Sequence, residues 1–269
     1  MRRHILILGG TSEARQLAQQ LAPRTDIAVT LSLAGRTGAP VAHSVPVRSG
    51  GFGGIAGLAQ YLRDAAVFAL IDATHPYAAA MSAHAVSAAE SCGTPMMTLR
   101  RPPWAAVAGD RWTEIRDVPE AIRWLGAEPR RVFLALGRQH IAPFGSAPQH
   151  YYLIRSVDPV EPPLPVPQAR YIEERGPFAE ADERRLLAEH AIDAVVSKNS
   201  GGAATYGKIS AARSLGIPVL LLRRPPDAGS RGVAEVGQVI AWLDRLLGLD
   251  AQAPGLSGHV PGTEFDRGV

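Results

Sequence analysis

The sequence predicts an α/β fold made of two similar Rossmann-like parallel-sheet domains facing across a cleft. Runs rich in Val, Ile and Leu, bounded by Gly or Pro, alternate with Ala-rich stretches of helical period. That alternation is the pattern of a parallel sheet buried under helices on both faces. The chain also repeats itself: 87–104, SAAESCGTPMMTLRRPPW, matches 210–227, SAARSLGIPVLLLRRPPD, at 11 of 18 positions with an offset of 123. RRHILILG (2–9) is echoed by RRVFLALG (130–137), and Ile122-Arg123-Trp124-Leu125 by Ile240-Ala241-Trp242-Leu243. A length of 269 residues is enough for two domains, each with its own core. We therefore expect halves at 1–127 and 128–248, followed by a Gly/Pro-rich tail, 249–269, that carries no assigned function.

In chain order, Ile5 to Leu8 reads as a first strand and Gly9-Gly10 as its turn. Thr11 or Ser12 caps a helix that carries Ala14, Leu17, Ala18 and Leu21 on one face. Glycines let backbone approach a pyrophosphate, and a helix N-terminus presents unpaired N–H groups to it. The segment is not GxGxxG, so a plain tight turn is the competing reading. Ile27 to Leu33 is a second strand ending in Ala34-Gly35-Arg36-Thr37. An acid at this position holds the ribose 2′-hydroxyl of NAD, whereas an arginine accommodates the 2′-phosphate of NADP. No acid stands there, so Arg36 and Thr37 favour NADP, against the alternative of a solvated arginine.

Val67 to Ile71 is a buried strand running into Asp72-Ala73-Thr74-His75-Pro76-Tyr77, with Pro76 suited to a first helical turn. The offset of 123 sets Thr74-His75 opposite Ser197-Lys198, which end the strand Ala194 to Val196. Ligands of doubly wound sheets bind at the carboxyl ends of strands, so two such loops facing each other define a cleft. His75 reads as a phosphate donor or proton carrier, with a structural strand-end histidine as the alternative. Lys198 and Asn199 occupy the matching loop; a lysine before a helix is unfavourable unless an anion pairs with it. Ser200-Gly201-Gly202 repeats the phosphate-friendly pattern.

Arg100-Arg101-Pro102-Pro103-Trp104 and Arg223-Arg224-Pro225-Pro226 follow late strands. They suit carboxylate binding or salt bridges between halves, the second copy leaning toward structure. Gly176-Pro177-Phe178 precedes an acidic helix near Glu180 and reads as a turn offering N–H groups to the cleft. Asp158 to Pro167, with five prolines in ten residues, must be extended.

Composition excludes several classes. Cys92 has no partner, which removes internal disulfides and Cys-rich zinc sites and fits a reducing cytoplasm. Apolar runs are strand length, far short of the ~20 residues that span a bilayer, so no membrane segment is expected. Lys+Arg number 28 against 25 Asp+Glu, and the scattered arginines form no block that would track nucleic acid. A small polyanion suits them better. Only Lys198 and Lys208 are lysines, and Lys208 is expected to be solvated. No HExxH, GxSxG, P-loop or metal-spaced His/Cys cluster occurs, so no metal site is expected and the chemistry belongs to a cofactor.

Together ILGGTSEAR (7–15), DATHPYA (72–78), RRPPW (100–104), GPF (176–178) and SKNSGG (197–202) resemble the precorrin-6A reductase family of cobalamin biosynthesis, in the right order across roughly residues 3 to 245. The resemblance implies an NADPH-dependent reduction of one double bond of the precorrin-6A macrocycle, giving precorrin-6B. Separately, a monomer or weak oligomer is expected. It implies that Gly9, Gly10, Thr11, Ser12, Glu13, Arg36 and Thr37 bind NADPH, with Thr74, His75, Pro76 and Tyr77 beside it. Arg101, Lys198, Asn199, Ser200 and Gly201 would meet the cofactor or the acidic arms of the macrocycle. His75, Tyr77 and Lys198 are the catalytic candidates, although an enzyme that mainly aligns hydride donor and acceptor needs no single indispensable group. A non-catalytic NADP-binding sensor is the second reading. A nucleotide-free, uroporphyrinogen-synthase-like protein is the third, disfavoured by GGTSE and Arg36.

Overall fold

A computed structural model describes residues 2–35, 42–227, 229 and 231–249; Arg36, Thr37 and the tail from 250 lie outside the described residues. The first elements are β1 (Arg3–Leu8), α1 (Ser12–Leu21), β2 (Ile27–Leu33), β3 (Val47–Ser49), α2 (Gly54–Asp64), β4 (Val67–Asp72), α3 (Ala79–Cys92) and β5 (Met96–Leu99). β6 (Trp112–Ile115), α4 (Val118–Leu125), β7 (Arg131–Ala135), β8 (Tyr151–Ser156), β9 (Ala169–Glu173), α5 (Glu180–Glu189), β10 (Ala194–Lys198) and α6 (Gly207–Ser214) follow. The chain then forms β11 (Val219–Leu222), β12 (Gly232–Val233) and α7 (Val236–Leu247).

Among the described residues these strands form two six-stranded sheets, ordered β12-β5-β4-β1-β2-β3 and β6-β11-β10-β7-β8-β9, every neighbouring pair parallel. The predicted α/β class and pair of similar sheets are what the molecule has. Side chains alternate across the first sheet. Ile5 and Ile7 pack under α1 and α7, while Leu6 and Leu8 pack under α2 and α3. With both faces buried, the strand has no polar side to show, which is why it reads as a continuous apolar run. In the second sheet Val132 and Leu134 face α4, and Phe133 faces α5 and α6.

The sheets do not follow the division at residue 127. β6, from the first half, adds to the edge of β11, and β12, from the second half, adds to the edge of β5. Their helices go with them: α4 puts Val118, Ala121 and Leu125 into the second core, and α7 puts Val236, Val239, Trp242 and Leu243 into the first. Arg24 fixes α7 in place through a 2.5 Å ion pair with Asp244. Sequence repetition marks equivalent elements, but it does not say which copy of a sheet an edge strand joins. The echoing Trp124 and Trp242 helices have exchanged sheets.

Two local expectations also change. Lys208 is 5% exposed, not solvated. It sits in the first turn of α6, where its ammonium donates to the Thr205 carbonyl at 2.6 Å and lies 5.0 Å from the centre of the Trp104 ring. Trp104 crosses from the other half to cover it, a contact that helical spacing cannot reveal. Burial lowers its pKa to about 7. The Phe178 N–H donates to the Ala204 carbonyl at 2.9 Å, and the Phe178 ring lies 3.9 Å from the Arg155 guanidinium, so this turn offers that N–H to packing and not to the cleft.

Candidate active site

Each sheet has a point where the strand order reverses, between β1 and β4 in the first and between β7 and β10 in the second. There the flanking connections run to opposite faces and leave a crevice beyond the carboxyl ends of the strands. The two crevices meet along one seam.

At the first crevice, β1 ends in Gly9-Gly10. A Cβ on Gly9 would stand 2.5 Å from Leu31 Cδ1, so a larger residue there would have to displace the Leu31 side chain of β2. Gly10 has φ +120° and nothing within 4 Å of where a Cβ would be, leaving its backbone open to the crevice. Thr11 caps α1: its hydroxyl accepts from the Ala14 N–H at 3.1 Å and donates to the Ala73 carbonyl at 2.9 Å. The hydroxyl proton is therefore spent on tying the start of α1 to the loop after β4 and is not available to an anion. The first-turn N–H groups of Ser12 and Glu13 have no intrahelical acceptors, as at any helix start.

The loop after β4 is held by its own carboxylate. Asp72, 1% exposed, accepts from the Thr74 N–H at 3.0 Å and the Thr74 hydroxyl at 2.7 Å. Pro76 lies in the turn before α3, which begins three residues later, and not in the helix itself. His75 accepts the Tyr77 N–H on Nδ1 at 3.3 Å, which puts the ring proton of the neutral form on Nε2. Burial, with Arg101, Lys198 and Arg224 nearby, lowers its pKa to about 3, so His75 is neutral at physiological pH.

Tyr77 bridges the sheets. Its hydroxyl donates to the Leu222 carbonyl at the end of β11 and accepts the Asn199 N–H at 2.8 Å; burial pushes its pKa up to about 12. The Lys198 ammonium lies 5.3 Å from the centre of the Tyr77 ring. Lys198 ends β10, well before α6, so the expected position at a helix N-terminus is not the one it has.

Arg101 completes the seam. It pairs with Glu13 at 2.5 Å and donates to the Ser200 carbonyl at 2.6 Å, joining the first helix to the loop of the second half. Asn199 clamps the same crossover, accepting the Trp104 N–H at 2.7 Å and donating to the Trp104 carbonyl at 3.0 Å. Arg224 donates to the carbonyls of Asn199, Arg101 and Pro102. Both RRPP segments thus lock the halves together, and Arg101 and Arg224 hold backbone of the opposite half. Gly201, at φ +74°, lies so close under the Pro102 carbonyl that a Cβ would stand 2.0 Å from it. Ser200 and Gly201 therefore meet the first half's own crossover.

The second crevice holds residues that the sequence did not single out. Gly137, Arg138 and Gln139 follow β7; Ser156 ends β8, and Val157 and Asp158 follow it; with Lys198 they line a cavity of about 180 Å³. The echo of RRHILILG by RRVFLALG, which sets Gly137 opposite Gly9, was the available signal. Among the described residues no His/Cys/Asp/Glu group has the arrangement of a metal site, and no helix is long and apolar enough to cross a membrane.

The chain is similar to known proteins over most of its length. Residues 4–244 match the precorrin-6x reductase CbiJ/CobK family. A precorrin-6A reductase of Sinorhizobium sp is 51% identical over 243 residues, 89% of this chain and 93% of that protein. The precorrin-6A reductase of Rhodobacter capsulatus is 51% identical over 239 residues, 89% of this chain and 95% of its own. A solved CobK precorrin-6A reductase structure superposes with a TM-score of 0.86 at 49% identity, covering 91% of this chain and 97% of that one. The chain belongs to the precorrin-6x reductase family, oxidoreductases of cobalamin biosynthesis.

Proposed function

We propose that this chain reduces one double bond of the precorrin-6A macrocycle, giving precorrin-6B, with NADPH as the reductant, in the reducing cytoplasm that its unpaired Cys92 suits. The observation that carries the reading is the first crevice: an open glycine turn and a helix start, joined through Arg101 to a cation-bearing loop of the second half. That cradle fits a dinucleotide, because Gly10 leaves the room that a pyrophosphate needs and α1 offers first-turn N–H groups. NADPH held there would supply one hydride, which carries both electrons, to one carbon of the macrocycle, and a proton from water would complete the two-electron reduction.

The residues of the chain then have distinct tasks. Gly9 and Gly10 admit the pyrophosphate. Arg101 neutralises Glu13, which would otherwise set a carboxylate against the phosphates. Tyr77 fixes the distance between the sheets, and its hydroxyl proton, committed to Leu222, is not the proton delivered to substrate. His75 offers a neutral Nε2–H, not an imidazolium. Lys198 brings positive charge to the side from which a polycarboxylate arrives. One chain builds both crevices, which suits a monomer or weak oligomer.

Arg36, with Thr37, is assigned to the 2′-phosphate. A charge-assisted hydrogen bond contributes about 1.5 to 3 kcal/mol, so Arg36→Ala is expected to weaken NADPH roughly 10- to 150-fold and leave NADH nearly unchanged. Nucleotide titration of the two proteins checks this, and equal losses for both nucleotides would reject the assignment. Anaerobic mixing with precorrin-6A separates the second reading: binding of NADPH without its oxidation would make the protein a sensor.

A further inference from the structure

The two halves place the same strands around two crevices, but the residues that fill them differ in kind. After β1 come two glycines and a ten-residue helix. After β7 comes one glycine, Gly137 at φ +75°, followed by the short 3-10 turns Arg138–His140 and Ala142–Ser146. The second crevice therefore has no α-helix N-terminus to cradle a pyrophosphate. In its place stand two cationic side chains, Arg138 and Lys198, and the Gln139 amide, around a cavity of about 180 Å³. Burial, and then the nearby Lys198, push the pKa of His140 down. One carboxylate, Asp158, shares the wall with them. The cavity is smaller than the ~300 Å³ at which pockets begin to enclose a drug-sized molecule. It suits one arm of a ligand whose body lies outside.

We propose that this cavity is a carboxylate subsite that seats one acetate or propionate arm of the macrocycle, with Arg138 as its principal specificity residue. Arginine meets a carboxylate with two parallel N–H donors, and Lys198 adds a point charge from the end of β10. The assignment rests on the reductase reading above and deepens it: the first crevice takes the nucleotide through backbone, and the second takes the substrate through side chains. Asp158 raises one competing occupant. It follows β8 where an acid that binds ribose follows the second strand of NAD-binding folds, so a second nucleotide is the alternative to be tested.

The test uses the full chain and two readouts. Binding of precorrin-6A without nucleotide is followed by tryptophan fluorescence, and steady-state kinetics are measured with NADPH saturating. Arg138 is exposed, so its variants are expected to fold, which circular dichroism verifies. Arg138→Ala should raise both the Kd and the KM for precorrin-6A roughly tenfold or more, with kcat changed by less than about twofold and NADPH affinity unchanged. Arg138→Lys should recover most of the loss, and Arg138→Glu should bind more weakly than Arg138→Ala. Unchanged macrocycle binding in Arg138→Ala and Arg138→Glu would overturn the subsite. So would binding of two NADPH per chain, with one lost in Arg138→Ala. A wild-type protein that binds precorrin-6A through Arg138 but does not oxidise NADPH would keep the subsite and reject the reductase reading. A wild-type protein that binds no macrocycle would reject both.

Discussion

His75 and Tyr77 are the residues in which a sequence sees proton chemistry, and their surroundings argue against it. Tyr77 has given its hydroxyl hydrogen to Leu222, and His75 is surrounded by Arg101, Lys198 and Arg224 with its pKa lowered to about 3. A group that holds its proton only below about pH 3 stays neutral across the working range, so it contributes no ionisation to catalysis near neutrality. We expect kcat to show no break attributable to His75 between about pH 5 and 8, and His75→Gln to keep the shape of the wild-type pH profile. A wild-type loss of rate as pH rises through about 6.5, absent in His75→Gln, would contradict this and restore an imidazolium donor. At this scale the sequence was informative about residue type and silent about partners. Lys198 was correctly placed at a strand end, because strand ends follow from local hydrophobicity. Lys208 was misplaced because its cover, Trp104, comes from a segment 104 residues earlier.

Turns and caps were legible where a single segment determines them. Gly9-Gly10, the Thr11 cap and the four buried positions of α1 follow from local spacing. The loop after β10 was not legible in the same way, since SKNSGG looks phosphate-friendly in isolation yet is filled by the Arg101–Pro102 crossover. Gly201 is where that packing is most sensitive. Gly201→Ala meets both a left-handed backbone and the Pro102 carbonyl, whereas Gly216→Ala, at φ +67° with nothing within 4 Å, meets only the first. The left-handed conformation costs an alanine about 1 to 2 kcal/mol, and forcing a methyl into a packed site adds about 1 to 3 kcal/mol. Denaturant unfolding should therefore show Gly201→Ala as clearly the less stable of the two. Equal losses would mean that the crossover gives way without cost and does not hold the seam.

For the whole molecule, repetition predicted two sheets and a cleft but not the exchange of β6-α4 and β12-α7. Edge-strand choice is decided by packing of whole units, since either copy satisfies the same hydrophobic pattern. The exchange matters for function because the segments that lead into it, 100–104 and 223–227, supply Arg101 and Arg224 to the seam. The halves are thereby joined at their strand ends, and on the proposed function reduction is a matter of aligning a nucleotide in one crevice with a macrocycle anchored in the other. The central claim is direct transfer across that seam. A single anaerobic turnover with NADPH carrying deuterium at the transferable position of the nicotinamide tests it. The account predicts one NADPH oxidised and one deuterium in each precorrin-6B formed. Oxidation of the nucleotide with an unlabelled product would contradict it.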